Sequence, residues 1–238
     1  MVKVLHIVAT PRGIESNCLR ASQAFLNTLR DQLMDVDVDT IDLYDHSLPS
    51  VAGDNIKSKY TLMAGMPIDD RHARSWREIE MLIEHFLSAD LYLISAPMWN
   101  LGIPYALKYY IDCIVQPGYL FSYNSEGQVV PLVTNRKMVC STSRGGDYSP
   151  GSYMHAYDFQ EPYLRAIFGF VGVTDIEFIN AEPTDVTLDL REAALARALQ
   201  RAVDLATQIA ADTPIGFLGP DLESVAGDPG GAGAAQNA

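Results

Sequence analysis

The stretch VKVLHIVATPRGIESN, residues 2–17, sets the class of fold, because a nearly continuous apolar run passes directly into a polar loop. The run from Val2 to Ala9 suits a strand that is covered on both faces of a sheet. The polar loop leads into a helical pattern that begins near Ser16 or Asn17. The stretch therefore predicts a strand, a loop and a helix in succession, with hydrogen-bonding side chains at the start of the helix.

The same alternation of strand and helix patterns continues along the chain. Apolar runs predict five strands, at Val2–Ala9, Val36–Leu43, Leu91–Ala96, Lys137–Ser143 and Asp175–Asn180. Longer amphipathic patterns predict helices at Asn17–Leu33, Ser75–Ser88, Pro104–Val115, Pro162–Phe168 and Leu188–Ala211. Such alternation favours a doubly wound α/β fold with helices on both faces of a parallel sheet. We expect the flavodoxin-like strand order 2-1-3-4-5, in which ligands bind beyond the carboxyl ends of strands 1, 3 and 4.

Two further segments lie outside this pattern. The segment from Asp45 to Arg74 has no clear period, and we expect an excursion with a short helix around Ser58–Ala64. The last residues, GPDLESVAGDPGGAGAAQNA, contain few large apolar side chains, which predicts a disordered end. The expected organisation is a single domain over residues 1–215, followed by a flexible tail over residues 216–238.

Composition narrows the class of partner. The 238 residues carry a formal net charge of −13, which argues against nucleic acid or an anionic membrane surface as a partner. No apolar stretch reaches the roughly 20 residues that cross a bilayer, and the amino terminus is poor material for a signal peptide. The three cysteines are scattered without metal-binding spacing, so no metal site is expected. The chain reads as a cytoplasmic protein that does not insert into membranes.

The first loop, TPRGIESNC, offers donors for an anion. Thr10, Ser16 and Asn17 carry polar side chains beside a helix start, whose unpaired backbone N–H groups attract phosphate. The alternative is that Ser16 or Asn17 simply caps the helix. Neither G-x-G-x-x-G nor G-x-x-x-x-G-K-[ST] is present, so the familiar nucleotide loops are excluded.

The second and third loops suit a planar ligand. SAPMWNLGIP, residues 95–104, combines one large aromatic ring with backbone donors, although Met98 and Trp99 would more ordinarily pack under the helix. STSRGGDYS, residues 141–149, has two glycines that allow close backbone approach or positive φ, although it would also make an ordinary turn. A phosphate site and a planar site at one sheet edge match the two parts of flavin mononucleotide (FMN).

These motifs resemble those of a known enzyme family. The motifs are TPRGIESN, APMWNLGIPYALKYYID, PGYLFSY, STSRGG and YLRAIFGFVGVTDIEFI. In order and separation they are similar to the FMN-dependent NADH azoreductases, of the flavodoxin-like NAD(P)H:quinone reductase group, from about Val2 to Ala211. The resemblance implies a homodimer that passes a hydride from NADH or NADPH through FMN to a quinone or azo acceptor, in a ping-pong cycle.

The resemblance also implies the residues that bind FMN. They are Thr10, Ser16, Asn17 and Cys18 at the phosphate; Pro97, Met98, Trp99, Asn100 and Leu101 beside the ring; and Ser143, Arg144, Gly145 and Gly146 at the pyrimidine edge. The chain departs from the family pattern in three places. Thr10 and Cys18 stand where the family has serines, and a thiol is a weak donor, so FMN is expected to bind less tightly. Leu101 stands where phenylalanine is common, which affects acceptor preference.

The flavin carries the chemistry in such an enzyme, and no side-chain acid or base is strictly required. Tyr148 and His155 are candidates for protonating the acceptor, although a lone histidine is more often structural. The lack of an obvious basic cluster leans toward NADH. Two alternatives remain open: a flavodoxin-like single-electron carrier, and a regulatory or binding relative without flavin. A hydrolase is disfavoured because neither G-x-S-x-G nor H-E-x-x-H occurs.

Overall fold

The computed structural model describes residues 1–212, apart from the side chains of residues 70–72. The predicted flexible tail, residues 216–238, lies outside the described residues, and the domain boundary at residue 215 stays a prediction. None of the described helices is long and apolar enough to cross a membrane.

Five parallel strands form the central sheet. In chain order the strands are β1 (Val2–Val8), β2 (Val36–Asp42), β3 (Leu91–Pro97), β4 (Phe121–Tyr123), β5 (Val129–Pro131), β6 (Lys137–Ser143) and β7 (Asp175–Ala181). The sheet order is β2-β1-β3-β6-β7, which confirms the predicted order 2-1-3-4-5. Strands β4 and β5 pair separately as an antiparallel hairpin, which the sequence patterns did not predict.

Six helices accompany the strands within the described residues. They are α1 (Asn17–Gln32), α2 (Asp54–Met63), α3 (Asp70–Leu87), α4 (Tyr105–Ile114), α5 (Glu161–Val171) and α6 (Leu188–Asp212). Helix α3 begins five residues before the predicted start, because its first residues, DRHAR, lack the large apolar side chains that reveal helical periodicity. Gly172 ends α5 in the left-handed conformation, with φ 111°, as is common at helix carboxyl ends.

Helices cover both faces of the sheet, which explains why β1 and β3 read as nearly continuous apolar runs. On one face, Phe25 and Leu29 of α1 and Leu205 of α6 pack against Leu93 of β3. On the other face, α3, α4 and α5 cover the sheet through a larger cluster that includes Trp76, Phe86, Tyr110 and Phe168. This two-sided burial leaves the loops at the strand ends as the places where polar groups gather.

Candidate active site

The parallel register brings the three predicted loops to one edge of the sheet. Val8 at the end of β1 pairs with Ser95, and Pro97 at the end of β3 pairs with Ser143 of β6. The Ala9 N–H donates to the Ser95 carbonyl at 2.8 Å, and the Met98 N–H donates to the Ser143 carbonyl at 2.8 Å. The loops that follow β1, β3 and β6 are therefore linked directly by backbone hydrogen bonds.

The first loop delivers an open helix end. Ser16 precedes α1 and makes no side-chain capping hydrogen bond, so the simple capping role weighed above is not seen. The first N–H that finds an intrahelical carbonyl is that of Arg20, at 3.0 Å from the Ser16 oxygen. The N–H groups of the first helical turn, residues 17–19, remain available for an anion, as is usual at a helix start. The hydroxyls of Thr10 and Ser16 lie buried beside them.

Cys18 lies at the base of this loop rather than on its surface. Its side chain is fully buried, and Sγ lies 3.0 Å from the Ser16 hydroxyl. Burial raises the pKa of the thiol to about 11, so the group is neutral at physiological pH. The Cys18 carbonyl accepts a hydrogen bond from the Ser141 hydroxyl at 2.7 Å, which fixes the helix start to β6.

A buried network of hydrogen-bonded side chains connects α1 to the sheet below this loop. His6 Nε2 lies 2.8 Å from the Ser95 hydroxyl, and that hydroxyl lies 2.6 Å from the Ser22 hydroxyl on α1. Burial lowers the pKa of His6 to about 4, so its imidazole is neutral near pH 7. This network thus links β1, β3 and the second turn of α1, and holds the open helix end in position.

The second loop is a tight turn with strained backbone. Trp99 and Gly102 exchange hydrogen bonds of 2.9 and 3.0 Å across it. The two central residues, Asn100 and Leu101, have φ of 48° and 71°. Positive φ at both central residues is typical of a type I′ turn. Asparagine tolerates that conformation, whereas a leucine there costs about 1–2 kcal/mol, and such strain concentrates at functional sites.

The third loop approaches its neighbours closely at Gly145. A Cβ added there would lie 2.5 Å from Asp185 Oδ2, whereas one added at Gly146 would come no closer than 3.4 Å to the Tyr148 ring. Neither glycine has positive φ, so the constraint at position 145 comes from the nearby Asp185 side chain and not from the backbone conformation. The N–H groups of Gly145 and Gly146 meet no acceptor among the described residues. Ser143, the last residue of β6, is half-buried.

Arg144 does not point its side chain outward. The residue is only 1% exposed, and its guanidinium faces Asp158 at 3.0 Å, Glu161 at 3.5 Å and Glu182 at 3.6 Å. Its own N–H donates to the Ala181 carbonyl at 3.0 Å. A direct contact between Arg144 and FMN therefore stays a prediction, and the geometry gives the side chain a role in holding the loop.

The two candidate proton donors lie beside each other. His155 is exposed, and its Nδ1 lies 2.9 Å from the Tyr148 carbonyl. Because a carbonyl oxygen only accepts, Nδ1 carries the proton and Nε2 is the free nitrogen of the neutral ring. The Tyr148 side chain is buried, and the backbone N–H of Tyr148 donates to Glu182 Oε2 at 3.1 Å. Of the two, His155 has the accessible titratable atom.

Sequence reasoning missed Tyr44, which joins the second loop from the end of β2. Its ring centroid lies 6.1 Å from that of Trp99 and 5.7 Å from that of Tyr105. Burial raises the pKa of the Tyr44 hydroxyl to about 12, and this oxygen has no hydrogen-bond partner among the described residues. The position of Tyr44 directly after the second apolar run was a usable signal, because β2 neighbours β1 at the same edge.

Gln160 is the second residue that the sequence did not reveal. It is fully buried, and its Nε2 donates to the carbonyls of Ala96 and Pro97 at 3.2 and 3.1 Å. Its Oε1 accepts from Arg144 Nε at 3.2 Å. Gln160 therefore joins the second loop to the third. No sequence pattern indicated this contact, because the four residues belong to three separate segments.

A separate cavity of about 210 Å³ lies at the opposite edge of the sheet. Residues at the starts of four strands line it, namely Val2, Leu91, Lys137 and Asp175. It contains none of the residues predicted to bind a ligand. Among the side chains that the structure describes, no group of three or more histidine, cysteine or carboxylate side chains is placed to hold a metal ion.

The donors at the loop edge fit FMN. An open helix start with two buried hydroxyls suits a phosphate, and it lies beside a turn that carries the indole of Trp99. The free N–H groups of Gly145 and Gly146 suit the polar edge of a planar ring that gains negative charge on reduction. The three features lie on one edge, as a mononucleotide requires.

Comparison with known proteins gives matches along most of the chain. A family model described as "Flavodoxin-like fold" matches residues 2–206. The chain is 37% identical over 209 residues to an FMN-dependent NADH:quinone oxidoreductase of Desulfotalea psychrophila, covering 88% of this chain and 98% of the relative. It is 39% identical over 202 residues to FMN-dependent NADH:quinone oxidoreductase 2 of Trichormus variabilis, covering 83% and 95%.

Solved structures agree with these relatives. An azoreductase from Bacillus anthracis str. Sterne superposes with a TM-score of 0.78 at 29% identity, covering 87% of this chain and 100% of that structure. An FMN-dependent NADH-azoreductase from Bacillus anthracis str. Ames Ancestor, in complex with FMN, gives a TM-score of 0.78 at 25% identity, covering 88% and 100%. The similarity therefore includes the strands and loops that form the edge described above.

Proposed function

Because the chain belongs to the family with the flavodoxin-like fold, we propose that it is an FMN-dependent oxidoreductase that uses NADH to reduce quinones and azo compounds. The similar proteins are named for this activity, and the chain matches them along nearly their full length. The observation that carries the proposal in this chain is the meeting of three donor-rich loops at one sheet edge, with an uncapped helix start at the first.

Each loop has its own part in binding. The N–H groups at the start of α1, with the hydroxyls of Thr10 and Ser16, hold the phosphate. The turn over residues 98–102 lies beside the flavin ring, where Trp99 and Leu101 shape the space for the acceptor. Gly145 and Gly146 direct their N–H groups at the pyrimidine edge and stabilise negative charge that develops there.

Bound FMN supplies the redox chemistry, accepting a hydride from the nicotinamide and delivering two electrons to the acceptor. The protein contributes orientation, and at His155 a nitrogen that exchanges protons. The Tyr148 carbonyl holds Nδ1–H, so proton transfer to or from an acceptor passes through Nε2. His155→Gln would therefore slow turnover without changing FMN affinity.

We extend the proposal to a cytoplasmic homodimer. Three aromatic rings near the site are exposed, Tyr105 by 69%, Tyr153 by 86% and Phe159 by 59%. Exposed apolar clusters of this kind mark interaction surfaces. Two open apolar clefts of about 510 and 530 Å³ also flank α4, with Tyr105 on one side and Phe159 on the other. A second copy of the chain would cover these rings and shield the flavin edge from water.

The test is a visible absorbance spectrum of protein that has been reconstituted with FMN and desalted, recorded before and after anaerobic addition of NADH. The expected result is a retained flavin spectrum that NADH bleaches and that a quinone restores. Retained flavin that NADH cannot reduce would instead indicate an electron carrier. Protein that leaves the column colourless would indicate a relative without flavin, and both results would contradict the proposed enzyme.

A further inference from the structure

Arg144 and Gln160 form a buried pair, called here the Arg144–Gln160 clasp, that joins two of the ligand loops. The exposed fractions are 1% for Arg144 and 0% for Gln160. Arg144 Nε donates to Gln160 Oε1 at 3.2 Å, and Gln160 Nε2 donates to the carbonyls of Ala96 and Pro97. One side chain at the start of the third loop is thus connected through a second side chain to the end of β3.

The charge of Arg144 is balanced by carboxylates that also hold the backbone. Asp158 lies 3.0 Å from the guanidinium, and its other oxygen accepts the N–H groups of Gln160 and Glu161 at 2.9 and 3.0 Å. Glu182, 3.6 Å from Arg144, accepts the N–H of Tyr148. A buried cation requires such partners, because an unpaired charge in the interior is costly. Through these two carboxylates, the clasp is connected both to the start of α5 and to the far end of the third loop.

The free donors of the third loop lie between two fixed points. On one side the Arg144 N–H is bonded to Ala181, and on the other the Tyr148 N–H is bonded to Glu182. Gly145 and Gly146 lie between them. Donors that are held in place before the reaction stabilise developing charge without a cost of reorganisation. Glycines have the greatest backbone freedom, so their orientation depends on these anchors together with the hydrogen bonds that the Arg144 and Gly145 carbonyls accept from Thr184 and Asp185.

We propose that Arg144 and Gln160 are positioning residues that raise the reduction potential of the flavin by holding the Gly145 and Gly146 N–H groups toward the ring edge that becomes negative. This inference rests on the proposed function, since it requires FMN at that edge. It assigns to the arginine of the SRGG motif an indirect role, through the backbone of the residues that follow it. A merely structural clasp would affect stability and leave the potential unchanged.

The test compares Arg144→Lys and Gln160→Met with the wild-type holoprotein. Lysine keeps the charge without the planar fork of donors, and methionine keeps the approximate shape of glutamine without its hydrogen bonds. We expect both variants to have a more negative two-electron potential in dye-equilibration titrations. Each tenfold loss in the preference for reduced flavin corresponds to about 30 mV. Unchanged potentials in flavin-loaded variants would overturn the proposal, even if their stability fell.

Arg165→Lys is the matched control, because Arg165 is an arginine of α5 that pairs with Glu161 at 2.8 Å from a half-exposed position. Its potential should equal that of the wild type. A shift in this variant as large as in Arg144→Lys would also overturn the proposal, since the loss of any guanidinium near α5 would then suffice.

Where a variant does not retain flavin, hydrogen exchange in the apoprotein tests the positioning role instead. The clasp model predicts faster amide exchange in Gln160→Met at Arg144 and Tyr148, whose bonded N–H groups flank the two glycines, with little change in α6. Equal exchange at these two amides would contradict the positioning role. Should the wild type itself fail to bind FMN, the proposed function would fail separately, and the exchange result would still report on the clasp.

Discussion

Cys18 is the residue at which this chain departs most clearly from the serine pattern that its resemblance to the azoreductases implies. Its thiol is buried beside the Ser16 hydroxyl, 3.0 Å away, at the foot of an otherwise open helix start. A thiol is a weaker hydrogen-bond donor than a hydroxyl of similar size. Under the proposed function, we expect the residue to influence how strongly the loop holds the phosphate of FMN.

Cys18→Ser is expected to tighten FMN binding about fivefold, since a hydroxyl in place of the weak thiol donor adds about 1 kcal/mol of hydrogen bonding to the phosphate. Fluorescence titration of the apoprotein with FMN measures the change. Cys113→Ser is the matched control, because that buried thiol lies on α4 and already donates to the Pro49 carbonyl. Equal affinities of wild type and Cys18→Ser would show that position 18 does not contact the phosphate.

His6 makes the stability of the protein depend on pH. Burial lowers its folded pKa to about 4, below the ordinary 6.5, so the unfolded chain binds a proton more readily. The stabilisation is complete above pH 6.5 and is lost as the pH falls toward 4. Between pH 7 and pH 5 this residue alone should account for about 2 kcal/mol of the free energy of unfolding.

Urea denaturation of the wild type and His6→Gln at these two pH values isolates that contribution. Glutamine cannot titrate, so the free energy of unfolding of the variant should fall less on acidification. Parallel losses in both proteins would mean that His6 is not buried in its neutral form.

At the scale of elements, the turn that joins β3 to α4 combines precise hydrogen bonding with local strain. Trp99 and Gly102 close the turn, while Leu101 takes φ of 71° with a branched side chain. The Leu101 carbonyl also accepts the Phe159 N–H at 3.1 Å, which ties the turn to the segment before α5. The strain persists because neighbouring contacts determine the conformation of the turn.

Leu101→Gly should therefore be more stable than Leu101→Ala by about 1 kcal/mol, because both remove the side chain and only glycine relieves the strain. Thermal and urea denaturation of the two apoproteins provide the comparison. Alanine serves as the control for lost packing. If the alanine variant were equally stable, the backbone at residue 101 would not be strained.

For the whole molecule, the exposed aromatic rings around the candidate site predict how two copies associate. Phe159→Glu places a charge on the 59% exposed ring beside one of the apolar clefts, and should weaken the dimer at least tenfold. Sedimentation over a range of concentrations measures the dissociation constant. Tyr60→Glu on α2, at a residue 64% exposed, is the control and should leave association unchanged. A wild type that sediments as a monomer would contradict the homodimer.

Local patterns along the chain were sufficient for the five strands of the central sheet, most helices and the edge that carries the loops. The bounds Lys137–Ser143 were predicted as the structure has them. The beginning of α3 and the hairpin of β4 and β5 were missed, because polar helix starts and three-residue strands carry little periodic signal.

Hydrophobic periodicity and the alternation of strands with helices were enough to predict the doubly wound sheet, its strand order and the meeting of the loops after β1, β3 and β6. Tertiary packing alone set the inward turn of Arg144 to Gln160, the contact of Tyr44 with Trp99 and the close approach of the Asp185 side chain to Gly145. These contacts join residues far apart in the chain through polar groups and shape. Such pairings leave no periodic trace in the sequence, so they appear only when the folded chain brings the partners together.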